Sequence, residues 1–114
     1  MIPAICWPVG LLALVLLATS CGSARRGEPV VGPVGLSPAA LRGEQVFMRN
    51  CHACHPKGEG GLAPSINDKP LPDFLIRLQV RRGLGAMPQF GPKEIGDAEL
   101  DGLIAYLKAL RRQG

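Results

Sequence analysis

The chain has 114 residues, room for one domain rather than two. Thirteen Lys and Arg against nine Asp and Glu give a net charge of +4 without clustered basic runs, which argues against a nucleic-acid binder. Fifteen Gly and eleven Pro imply much loop, and with Trp7 in the apolar N-terminus only Phe47, Phe74, Phe90 and Tyr106 remain as aromatic side chains. A small domain with so few struggles to fill its own core, so something besides side chains should occupy the middle.

Residues Met1–Ser23 carry no charge, and Val9–Ala18 is an unbroken run of Val, Gly, Leu and Ala. Ten such residues suit a signal-peptide apolar region, whereas a membrane span needs about twenty. The run ends in Leu17-Ala18-Thr19-Ser20-Cys21, which resembles the bacterial lipoprotein cleavage box. That resemblance implies a signal peptide over 1–20 and a lipidated Cys21, the alternative being an uncleaved anchor over Ile2–Thr19. Arg25 and Arg26 follow the run and no basic residue precedes it, an asymmetry that by itself favours a cytoplasmic C-terminal part. The chemistry of the cysteine motif further along the chain overrides it. Residues 21–37, with Pro29, Gly32, Pro33 and Gly35, read as a linker without periodic pattern, and 38–114 as the domain.

Ser37-Pro38 reads as an N-cap with Pro at the first helical position. The helix it opens is expected to reach about Asn50, with Ala40, Gly43, Val46 and Phe47 near one face. A second helix is expected over Asp73–Arg82, with Phe74, Leu75 and Leu78, and Arg82's aliphatic stem, at helical spacing. Arg81 and Arg82 suit its negative end and Gly83 the cap beyond it. Asp97 is read as the cap of a last helix running to about Arg112, with Leu100, Leu103, Ile104, Leu107 and Leu110 on its apolar face. Gly- and Pro-rich loops fill His55–Leu71 and Leu84–Gly96. Thr is absent after Thr19 and no stretch alternates, so the predicted class is all-α, without a sheet.

Cys51-His52-Ala53-Cys54-His55 is the informative pentapeptide, because Cys-x-x-Cys-His reads as a c-type haem attachment sequence. Two thiols three positions apart at a helix end can each add to one of two neighbouring vinyl groups, and the next imidazole is then held facing the iron. Cys51 and Cys54 would form the thioethers and His55 the proximal ligand. A thioredoxin-like dithiol would sit beside a βαβ pattern, which this chain lacks. A structural zinc site wants four ligands in two separated pairs, and here no His or Cys follows the pentapeptide. For the opposite axial position the candidates are His52, held between the anchoring cysteines, Met48, read as a core residue, and Met87. Met87 lies 32 residues after His55, in the loop Gly83-Leu84-Gly85-Ala86-Met87-Pro88, where glycines permit close approach to a flat ring and Pro88 stiffens the chain. A lone Met is more often core filler, but this setting favours a ligand.

Over Pro38–Leu110 the sequence resembles a class I (monohaem) cytochrome c. Gly43-Glu44-Gln45-Val46-Phe47 is similar to the family's N-terminal helix, Cys51–His55 to its haem motif, Arg82–Pro88 to its methionine loop and Leu103–Leu107 to its C-terminal helix. The resemblance implies a small cytochrome c fold, three main helices around one covalent haem c. It implies Tyr106 as partner of Gly43 and Phe47, and Pro64 as the proline whose carbonyl accepts the ring N–H of His55. It also implies extracytoplasmic haem attachment. All four cysteines are then used: Cys6 in the signal, Cys21 for lipid, Cys51 and Cys54 for haem.

With both axial positions filled the iron has none open for substrate, so the expected role is electron carriage rather than catalysis. The expected protein is a membrane-anchored monomer on the periplasmic side, serving partners such as a terminal oxidase or quinol-oxidising complex. Lys57, Arg77, Arg81, Arg82 and Lys93 are candidates for a weakly basic docking rim, the alternative being ordinary solvated helix faces. Rival readings are the haem c subunit of a larger oxidase or dehydrogenase, a gas sensor that releases Met87, and a thiol oxidoreductase.

Overall fold

The computed structural model describes Val30 and residues 33–113. The apolar segment 1–20, the lipidation expected at Cys21 and most of the 21–37 linker lie outside the described residues. Three α-helices follow in order: α1 (Pro38–Asn50), α2 (Asp73–Arg82) and α3 (Asp97–Arg111), with a short 3-10 turn at Pro56–Gly58. Among the described residues there is no strand, only an isolated bridge between Leu84 and Met87. The all-α expectation therefore holds. No helix among the described residues is long and apolar enough to cross a membrane.

Helix α1 starts where its chemistry says it should. Ser37 is extended, its hydroxyl accepts the Ala40 N–H at 3.2 Å, and Pro38 occupies the first turn. Ala40, Gly43, Val46 and Phe47 are its buried positions, as their spacing predicts. Met48 is not among them: it is half exposed, so its reading as core is corrected. It follows Phe47 by one position and so points away from the stripe that Phe47 buries.

Helices α1 and α3 make the main packing contact of the fold. Every expected apolar position of α3, Leu100, Leu103, Ile104, Leu107 and Leu110, is buried, joined by Gly102, Tyr106 and Ala109. Phe47 is fully buried and tilts against Tyr106, ring centroids 5.2 Å apart at 53°. The nearest neighbour of Gly43 is Gly102 rather than Tyr106: a Cβ on Gly43 would overlap the Gly102 carbonyl, and one on Gly102 would lie 3.0 Å from the Ala39 oxygen. Two facing glycines let the backbones meet, which no larger residue at position 43 would allow. The start of α3 needs a second correction. Gly96 is the N-cap and Asp97 the first helical residue; the Glu99 carboxylate reaches back to accept the Gly96 N–H at 2.9 Å. Asp97 is freed for a contact with Arg81.

Helix α2 has the expected bounds but a different inner face. Its buried residues are Ile76 and Val80, one turn apart, whereas Phe74, Leu75 and Leu78 are exposed. Ile95, from the loop before α3, is also fully buried in the core. The linker ends on the domain rather than hanging free: Val30, Val34 and Leu36 are partly buried and pack against the core cluster.

Candidate functional site

The pentapeptide is wound at the C-terminal end of α1. The Cys51 and His52 N–H groups both donate to the Phe47 carbonyl, at 2.8 and 3.0 Å, so Cys51 caps the end of the helix. The chain then turns about the Cys51 carbonyl, which accepts from the Cys54 and His55 N–H groups at 3.1 and 2.9 Å. Those bonds hold two cysteines and a histidine on one tight turn rooted in the α1–α3 packing. Cys51 is partly buried and Cys54 exposed.

The next segment folds back onto this turn. Ala63 donates to the Cys54 carbonyl at 3.1 Å, and Ile66 and Asn67 donate to the Gly58 carbonyl at 2.8 and 3.0 Å. The result puts the Pro64 carbonyl 2.8 Å from His55 Nδ1. A carbonyl can only accept, so Nδ1 carries the proton and Nε2 is left with its lone pair for a metal. The His52 imidazole is engaged elsewhere, its Nδ1 accepting the Lys57 N–H at 3.2 Å. Lys57 itself adopts a left-handed φ of 53°, which tightens the turn behind His55.

Met87 lies on the loop that leaves α2. Gly83 caps the helix with φ 68°, its N–H donating to the Gln79 carbonyl at 2.7 Å. A Cβ on Gly83 would run into the Met87 carbonyl, so both its conformation and its neighbour require glycine. The Met87 N–H donates to the Leu84 carbonyl at 3.0 Å, and the Gln79 side-chain amide donates to the Met87 sulfur at 3.5 Å. Sequence reasoning missed Gln79; its position one turn before the capping glycine was the available signal. It also placed Arg81 on a solvent rim. Arg81 is instead largely covered, Nη1 donating to the Phe90 and Ile95 carbonyls at 3.1 and 2.6 Å and Nη2 to Asp97 Oδ1 at 2.7 Å. Arg77 pairs with Asp101. Of the five rim candidates, Lys57, Arg82 and Lys93 remain exposed.

The donor set decides between the chemistries the pentapeptide allows. Burial, with Cys54 adding to it, pushes the Cys51 thiol, before any haem is attached, up from 9.0 to about 11. A redox dithiol needs the opposite shift. No group of three or more His, Cys, Asp and Glu converges as a metal cage among the described residues. A haem fits. The thiols can form thioethers, His55 Nε2 is poised as a ligand, and the thioether of Met87 is a soft second donor. The segments that carry these donors also present large apolar side chains to the outside. Leu62 follows His55, Phe74 and Leu78 lie on α2, and Leu84 lies on the methionine loop, with exposures of 88%, 66%, 48% and 74%. Apolar surface of this extent on so small a domain is made to be covered, and a porphyrin offers two apolar faces to cover it. Phe74, Leu75 and Leu78 on α2 are thus left out of the protein core and exposed.

Three helices built around a Cys-x-x-Cys-His turn define a c-type cytochrome. Residues 38–107 match the family model described as cytochrome C oxidase, cbb3-type, subunit III. A cytochrome c6 from Bryopsis maxima is 36% identical over 75 residues, covering 57% of this chain and 84% of the relative. The cytochrome c subunit of 4-cresol dehydrogenase (hydroxylating) from Pseudomonas putida is 33% identical over 90 residues, covering 71% and 79%. A cytochrome c6 from Picosynechococcus is 31% identical over 91 residues, covering 67% and 77%. No solved structure matches significantly. The chain belongs to this family of class I monohaem c-type cytochromes. It is an electron carrier with covalently bound haem c, and not itself a catalytic enzyme.

Proposed function

We propose that the protein is a membrane-tethered, one-electron shuttle on the extracytoplasmic side, with His55 and Met87 as axial ligands and Cys51 and Cys54 as thioether anchors. The observation that carries the ligand assignment is the 2.8 Å contact between His55 Nδ1 and the Pro64 carbonyl, which leaves only Nε2 for iron. When bound, the haem supplies a reversible Fe(II)/Fe(III) couple. The chain's own residues do the rest. Pro64 fixes the His55 tautomer, Gln79 polarises the Met87 sulfur, and the apolar side chains of α2 keep water off the ring. Sulfur ligation favours Fe(II) and so raises the potential relative to two imidazoles.

Tethering through Cys21, or through the uncleaved segment 2–19, would raise the effective concentration of the carrier near membrane redox complexes such as a terminal oxidase or a quinol-oxidising complex. Of the five rim candidates, Lys57, Arg82 and Lys93 are the exposed cations left for docking, with an electron-transfer rate that falls as salt rises. A second reading has a specific observation behind it: one relative is the cytochrome c subunit of 4-cresol dehydrogenase, so the protein could instead deliver electrons from a dehydrogenase to which it is bound. Purification of the haem-loaded chain separates the two, since a subunit leaves the column with its larger partner and a shuttle leaves alone. A redox titration in the visible region of the protein and of Met87→Ala tests the ligands. The variant should fall in potential and bind CO in its reduced form. An unchanged potential and no CO binding would remove Met87 from the iron.

A further inference from the structure

We infer that Arg81 is the positioning residue that holds Met87 against the iron, by clamping the loop on which Met87 rides. This rests on the assignment of Met87 as axial ligand. The loop from Gly83 to Gly96 leaves α2 and returns to start α3, and Met87 on it is only partly buried against the core cluster, so its place depends on how the loop itself is held. Its N–H bond to Leu84 is internal to the loop, and the Gln79 amide at 3.5 Å from sulfur is a weak restraint. The loop's start is capped by Gly83, but a cap on one side leaves the far side free to swing. The far side is where Arg81 acts. One guanidinium nitrogen spans two loop carbonyls, Phe90 at 3.1 Å and Ile95 at 2.6 Å, and the other reaches Asp97 in the first turn of α3 at 2.7 Å. Beside it the Phe90 N–H donates to the Val80 carbonyl at 2.9 Å, so the loop is stitched to α2 three residues after Met87.

The two carbonyl bonds and the carboxylate bond are unequal. The Arg81 side chain is 21% exposed, whereas that of Asp97 is 85% exposed. The ion pair is therefore well solvated and contributes little. The bonds to the carbonyls are charge-assisted and largely shielded, and losing them leaves two loop carbonyls unsatisfied. Bonds of this kind are large enough that their loss raises the population of a loop-open state by on the order of tenfold or more. In the open state Met87 is off the iron, and an external ligand can enter. Lys could replace the charge but not the fork, because an ammonium is a single point on a flexible stem and cannot span Phe90, Ile95 and Asp97 together.

The test uses the full chain matured with haem, and CO as probe of the reduced form. Five proteins are compared: unsubstituted, Met87→Ala, Arg81→Met, Arg81→Lys and Asp97→Asn. Arg81→Met should bind CO about tenfold or more faster than the unsubstituted protein and show a lower potential. Arg81→Lys should lie between them, and Asp97→Asn should match the unsubstituted protein. If Met87→Ala itself leaves CO binding and potential unchanged, the ligand assignment fails and takes this inference with it. If Met87→Ala opens the site but Arg81→Met and Arg81→Lys behave like the unsubstituted protein, the ligand stands and the clamp does not. Should Arg81→Met not fold, Arg81→Lys decides alone, because the fork is lost while the charge is kept. Denaturant unfolding distinguishes positioning from general loosening: a CO rate that merely tracks global stability across the series overturns the inference.

Discussion

Replacement of Gly43 by Ala tests the packing that carries the haem turn. Within a helix Ala is favoured over Gly by about 1 kcal/mol, so the substitution should stabilise the protein if position 43 merely faced space. It does not face space. An added Cβ overlaps the Gly102 carbonyl oxygen and carbon, and also comes 2.7 Å from the Leu103 nitrogen. All three are backbone atoms, which cannot rotate away, so the helices must separate. Overpacking costs roughly 1–3 kcal/mol, and overlap with three fixed backbone atoms puts this one at about 3 kcal/mol; separation would also loosen the fully buried Phe47 ring against Tyr106. Net of the propensity gain, a loss of about 2 kcal/mol is expected, equivalent to a fall in Tm of roughly 8–16 °C for a domain of this size. Gly102→Ala is the internal control. Its Cβ would meet the Ala39 oxygen at 3.0 Å and the Gly43 nitrogen at 3.2 Å, contacts that small shifts relieve, so its net effect should be under about 1 kcal/mol. Thermal unfolding of the haem-loaded proteins reads both. Gly43→Ala as stable as the parent, or Gly102→Ala the more damaging of the two, would refute backbone-to-backbone packing at this crossing.

Two further outcomes follow from side chains around the site. Gln79→Leu removes the amide donor to the Met87 sulfur; a donor withdraws density from sulfur and disfavours Fe(III), so its loss should lower the potential by about 20–60 mV, the one-electron equivalent of a hydrogen bond of about 0.5–1.5 kcal/mol. A spectroelectrochemical titration that finds no change or a rise would contradict this. Glu99 is held below its ordinary 4.5 first by the Gly96 N–H and then by Arg49, so it contributes stability that is present above 4.5 and disappears as pH falls through the lowered folded value. The parent should therefore be more stable than Glu99→Gln at neutral pH, and the difference should shrink in that acid window, as followed by urea unfolding across pH.

The class of fold and the chemistry of the pentapeptide were legible in the sequence because both are local. Apolar residues three and four apart define a helix face whatever that face meets, and Ser37-Pro38 opens α1 through a bond to Ala40 only three residues away. Cys51, Cys54 and His55 are neighbours in the chain, so their turn needs nothing distant to bring them together. What lies on the far side of a face is not local. The spacing of Phe74, Leu75 and Leu78 is as helical as that of Ile76 and Val80, and periodicity alone cannot say which stripe turns to protein and which to a cofactor. Gly43 and Gly102 are separated by more than half the domain, and only the crossing of α1 with α3 makes glycine necessary at position 43. Arg81 reads as a surface charge until the fold returns Phe90, Ile95 and Asp97 to its guanidinium. The helices and the reactive turn are thus written into neighbouring residues, whose contacts form within a few positions of chain. The partners of Arg81, the neighbour of Gly43 and the inward stripe of α2 exist only in the assembled molecule, because they depend on how the helices cross and where the loops come back.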